Sequence, residues 1–144
     1  AGFDWHLRDV PGVLVNVEQH ATAPIHQVHL SFMDRAIPSA GLEHPLLLMP
    51  GHYRLSMQAR GQSLASELGL QWVITCELGP QMVVLGLPAD GSFDWRKLTA
   101  DFEVPSSGCQ GQWLRLINPV SGGAGQRVAG ELWLAQMKID RLPN

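Results

Sequence analysis

The stretch after Pro50-Gly51 alternates without a fault: His52-Tyr-Arg-Leu-Ser-Met-Gln-Ala-Arg60. Tyr53, Leu55, Met57 and Ala59 form an apolar face, and His52, Arg54, Ser56, Gln58 and Arg60 a polar one. A period of two predicts a strand with one face on a core. Ile25 to Phe32 repeats the pattern, with Val28, Leu30 and Phe32 on one side and Gln27, His29 and Ser31 on the other. Leu70 to Cys76 does so again, and Met82 to Leu85 follows at hairpin spacing. Val13 to Val17 is a β-branched run. Phe3 to Leu7 opens the chain, and Leu46 to Met49 is a short apolar run. Trp95 to Val104, Gln112 to Asn118 and Gly130 to Ile139 complete the set. Pro11-Gly12, Thr22-Ala-Pro24, Pro50-Gly51, Gly79-Pro80 and Gly86 to Gly91 punctuate the runs before a helix of normal length can form. Leu64 to Leu68 has room for one helical turn. The pattern predicts an all-β chain: an antiparallel β-sandwich of about nine or ten strands.

Composition narrows the function classes. The chain has 144 residues, 45% hydrophobic and 16% charged, which suits one globular domain over 1–144. A formal net charge of −3 leaves no basic footprint for nucleic acid. No apolar run approaches the roughly 20 residues of a membrane helix. The chain begins at Ala1, which suggests a processed protein or a piece cut from a longer one, with targeting information removed.

Candidate chemistry is sparse. Cys76 ends one strand and Cys109 lies in the loop just before the strand that starts at Gln112. A disulfide, a reactive thiol and two separate buried thiols all fit. A bridge would need an oxidising compartment and would be worth about 3.8 kcal/mol on the chain-entropy model. His26 and His29 are three apart, an offset that on a strand sends them to opposite faces, so no metal site is expected. No nucleophile elbow or phosphate loop is present, Gly122 to Gly125 reads as a connector, and Asp90 and Asp94 flank a turn. The chain is expected to be no enzyme and to need no cofactor.

Several stretches together resemble a jelly-roll carbohydrate-binding module of the galactose-binding-like type. They are Phe3-x-Trp5, Pro50-Gly-His-Tyr53-Arg-Leu-Ser-Met-Gln-Ala59, Trp95 to Val104-Pro105, Leu114-x-Leu116 and Gly130 to Ile139. The resemblance implies a jelly roll and a non-catalytic module that docks a parent protein to a glycan. It also implies exported, extracellular or periplasmic location, with other domains of the parent chain as partners. The rival is a structural or protein-interaction sandwich with no sugar site. Such modules often carry a calcium-binding carboxylate in the closing strand. Here Ala135 and Gln136 stand in its place, so no calcium is expected.

Sugar binding of this kind needs an outward aromatic ring beside planar polar groups. Trp72 shares a face with Leu70 and Ile74, and Trp133 with Met137 and Ile139, which assigns both to the core; Trp5 and Trp95 stay undecided. Trp113 and Arg115 point outward if Leu114 and Leu116 point inward. The expected ligand site is therefore Trp113 and Arg115 with Arg54 and Gln58, and Arg60 beyond them, on a shared concave sheet.

Overall fold

A computed structural model of the chain describes residues 5–19, 26–77, 79, 81–121 and 124–143. The expected strand start at Phe3, the Thr22-Ala-Pro24 break, the start at Ile25, Pro80 and the glycines Gly122 and Gly123 lie outside the described residues. The described residues form twelve strands and no helix. The strands are β1 (His6–Leu7), β2 (Val13–Gln19), β3 (His26–Ala36), β4 (Ser39–Leu46), β5 (Gly51–Ala65) and β6 (Gln71–Cys76). They continue with β7 (Gln81–Gly86), β8 (Asp90–Val104), β9 (Gln112–Ile117), β10 (Val120–Ser121), β11 (Ala124–Gly125) and β12 (Arg127–Arg141).

Ten of the strands make two five-stranded antiparallel sheets. Sheet I has the order β1-β4-β9-β6-β7, and sheet II the order β2-β3-β12-β5-β8. Among the described residues β10 and β11 pair only with each other, as a small ribbon in the glycine-rich connector. The architecture is the antiparallel sandwich that the alternation predicts, in the jelly-roll form that the resemblance implies.

The inward faces meet in one core. Sheet II supplies Val28, Leu30, Leu55, Met57, Ala59, Leu132 and Leu134, and sheet I supplies Leu42, Trp72, Ile74, Leu114 and Leu116. Trp72 is fully buried, as its face assigns it. Each large apolar side chain removed from water contributes about 1.5–3 kcal/mol, so this core is what holds the sheets together.

Three local departures matter. β4 replaces the apolar run expected over Leu46 to Met49: the strand ends at Leu46, while Leu47 and Met49 are exposed. Gly41 and Pro45 hide β4 in the sequence, because both are poor strand residues. Among the described residues β1 pairs with Leu42 and Glu43 only, and Pro45 lies beyond that pairing, opposite Trp113 of β9. β5 continues to Ala65, so Leu64 lies in the strand rather than in a helical turn. Its register slips against β8 between Ala59 and Leu64, and Ser63 adopts a φ of 50°. The third departure is in β12, where Ala135 pairs with Gln58 but Lys138 pairs with Ser56. Three steps on one strand match two on the other, which is a β-bulge, and Gln136 sits in it with a φ of 54°.

Cys76 and Cys109 are joined by a disulfide across 33 residues of chain. The bridge packs with Tyr53 and Val104 in a small second core. Gln112, buried beside it, accepts from the Leu48 backbone N–H and donates to the carbonyls of Leu48 and Cys109. A buried amide satisfied in this way fixes the loops around the disulfide.

Candidate functional site

Alternation fixes the outward residues of β9. Leu114 and Leu116 are fully buried, and Trp113 and Arg115 are half-buried on the outer face of sheet I. They stay together: the Arg115 guanidinium lies 5.1 Å from the Trp113 ring centroid. Arg115 is also engaged by a carboxylate, its Nε donating to Glu43 at 3.0 Å, and Arg8 reaches the same oxygen at 2.8 Å. The His6 ring meets Trp113 edge-on.

Arg54 and Gln58 are elsewhere. Both point outward from β5, which belongs to sheet II. The two pairs therefore lie on opposite outer faces of the sandwich, and the shared site expected from the sequence is not assembled. The alternation within each strand is right. Which sheet each strand joins is a long-range matter that alternation does not encode. Arg54 has its own partner: it donates to both oxygens of Asp101, at 2.7 and 3.1 Å. That fork holds the Asp101 carboxyl below its ordinary pKa and raises that of Arg54.

The outer face of sheet II gathers more. Cross-strand pairing puts His29, Trp133 and Arg60 in one row and Gln27, Ala135 and Gln58 in the next. Leu132 and Leu134 are fully buried, so Trp133 between them points outward. This corrects the assignment of Trp133 to the core. The bulge at Gln136 is the reason: one extra residue reverses the alternation, so Met137 and Ile139 turn inward although Trp133, of the same parity, turns outward.

Trp133 is tightly flanked. The His29 ring stacks on it with centroids 4.5 Å apart and planes 7° apart. The Arg60 guanidinium lies 4.5 Å from the indole centroid. Because His29 belongs to β3 and Arg60 to β5, on either side of β12, the indole stands upright between them. His29 is held in turn, with Nε2 at 3.0 Å and Nδ1 at 3.7 Å from carboxylates of Glu131 and Glu18. The Ser31 hydroxyl donates to Glu131 as well. Ala135, one row over, is small and almost buried, and makes a low floor beside this wall. The chemistry is that of a ledge of planar groups bearing several hydrogen-bond donors and acceptors in fixed geometry.

The fold is the jelly roll of carbohydrate-binding modules. The CBM22-1 xylan-binding domain of Paenibacillus barcinonensis Xyn10C superposes with a TM-score of 0.63 at 14% identity, covering 97% of this chain and 86% of that domain. A CBM4 module gives 0.60 at 11% identity, covering 91% and 79%. TmCBM61, solved with β-1,4-galactotriose, gives 0.58 at 12% identity, covering 96% and 88%. No protein-family model and no curated protein sequence matches the chain. At these identities the likeness is one of fold.

The sequence contains one signal for Trp133. Leu132-Trp-Leu134 repeats the Leu-x-Leu logic applied to Arg115, and assigns Trp133 outward. It conflicts with the parity of Met137 and Ile139, and that conflict marks a bulge between the two halves.

Proposed function

We propose that this domain is a non-catalytic glycan-binding module, carried by a larger exported protein, and that it binds through the outer face of sheet II. The observation that carries the reading is Trp133, held upright between His29 and Arg60 beside a row of glutamines. A sugar ring has apolar C–H faces and a rim of hydroxyls. The indole edge and the Ala135 floor suit the first. The guanidinium and amide groups of Arg60 and Gln58 suit the second, because their donors are planar and directed. The carbohydrate-binding modules that share the fold support the class. Glu18 and Glu131 both approach His29 beside the indole, which ties them to a structural role rather than to a glycosidase pair. The disulfide supports export.

Binding to a panel of plant, bacterial and host glycans tests the class, and two variants test the face. Truncating a central aromatic anchor typically costs 2 kcal/mol or more, roughly thirty-fold in affinity. Trp133→Ala should therefore remove most binding, while Trp113→Ala on the other face should leave affinity within a few-fold. The reverse result would move the site to Trp113 and Arg115. Silence across the whole panel would favour a structural or protein-interaction sandwich instead.

A further inference from the structure

Beyond the indole, the same sheet face holds a second feature. A pocket of about 240 Å³ opens over β5, between the bulge of β12 on one side and β8 on the other. Ser56, Met57, Gln58, Lys97, Gln136 and Lys138 line it. Register explains the gathering. Gln58 pairs with Lys97 and Ser56 with Lys138, so both lysines and both β5 residues face outward, while Gln136 is the extra residue of the bulge.

Ser56 is the informative member. It is 3% exposed, and its hydroxyl has no hydrogen-bond partner. A buried hydroxyl left unpaired costs about 1–3 kcal/mol, so apolar replacement would be the stable choice on packing grounds alone. The local charge points the same way. Lys97 has no carboxylate partner among the described residues, and Lys138 has only Asp140, at 3.4 Å. The nearby Asp101 is taken by Arg54. The pocket thus combines two ammonium groups, two amides and an unpaired hydroxyl at its floor.

We propose that this pocket receives the carboxylate of a uronic-acid residue, so that the module selects acidic glycans. The inference rests on the sheet II face being the glycan-binding face. Two residues along a strand advance it by about 7 Å, so the rows of Arg60, Gln58 and Ser56 follow one another at roughly the breadth of a pyranose ring. A chain lying across Trp133 and Ala135 would bring a neighbouring carboxylate to Lys97 and Lys138. There the Ser56 hydroxyl donates to it and gains the partner it lacks.

Affinity electrophoresis with matched polysaccharides tests this. The probes are glucuronoxylan, polygalacturonate and alginate, each beside its carboxyl-reduced form, with chondroitin sulfate beside chondroitin. At least one uronate polymer should be retained roughly tenfold more strongly than its reduced form, the scale of a charge-assisted hydrogen bond. That advantage should shrink with added salt. Lys97→Gln with Lys138→Gln should level the pair. Ser56→Ala should weaken retention on the acidic polymer only, with an unchanged or higher melting temperature. A fall in stability with selectivity intact would give Ser56 a packing role and overturn the assignment. Equal retention of acidic and reduced polymers would also overturn it, yet leave the glycan-binding reading standing. Preference for chondroitin sulfate over every uronate polymer would replace the carboxylate with a sulfate ester. Silence with all probes would remove both readings.

Discussion

At the scale of single residues, the polar face of β5 divides its labour. Arg54 is spent on Asp101, Arg60 on Trp133, and Gln58 stands between them, lining the pocket beside the bulge. The Arg54–Asp101 pair is solvent-exposed, with side chains 48% and 53% accessible, so it adds little to stability. Its effect is nonetheless readable as a titration. The fork favours the charged carboxylate, so Asp101 should titrate below an ordinary aspartate in an NMR pH series. A depressed pKa contributes stability above the unfolded value and loses it as pH falls through the folded one. The pair therefore acts at neutral pH and fades in acid. Arg54→Gln should return the Asp101 midpoint to its ordinary range while barely moving the melting temperature. An unmoved midpoint would mean that the fork does not persist in solution.

At the scale of elements, the bulge in β12 decides what the sheet II face displays. A regular strand from Leu132 to Ile139 cannot bury Leu132, Leu134, Met137 and Ile139 together, because the two pairs differ in parity. One extra residue resolves this, and Gln136 is that residue. Deleting Gln136 would leave Met137 opposite Met57 and Lys138 opposite Ser56, with every inward side chain still inward. The deletion also removes a non-glycine residue from the left-handed region, a conformation costing of order 1–3 kcal/mol. The deletion variant should therefore keep its melting temperature or gain a few degrees. It should also close the pocket beside Ser56 and lose any preference for acidic glycans. A large loss of stability would show that the bulge is needed for packing rather than for display. The same element shows how far the sequence is legible. Faces are local, so Tyr53, Leu55, Met57, Leu114 and Leu116 are readable from alternation alone. Trp133 is misassigned because the parity of Met137 and Ile139 does not carry across the bulge, whose position the pairing with β5 fixes. Arg54 and Trp113 are parted for a related reason: β5 and β9 join different sheets, and strand order is set by the whole core.

At the scale of the whole molecule, two sheets packed face to face need little beyond their apolar inner surfaces, yet this chain adds a disulfide. The bridge ties the end of β6 in sheet I to the loop before β9, and its small core includes Tyr53 and Val104 from β5 and β8 of sheet II. It therefore pins one end of the sandwich, where the two sheets share a second cluster. Chain entropy assigns a loop of this length about 3.8 kcal/mol. For a domain near 150 residues each kcal/mol moves the melting point by roughly 2–4 °C. Cys76→Ala with Cys109→Ala should then lower the melting temperature by roughly 8–15 °C, measured by calorimetry beside the oxidised protein. Trp133 pairs with Arg60, seven residues along β5 from Tyr53 and the bridge. Glycan affinity below the melting transition should accordingly survive the double substitution. Loss of binding in the folded variant would mean that the bridge shapes the ligand face itself. An unchanged melting point would mean that the chain without the bridge already holds its ends together, and that the disulfide adds no stability.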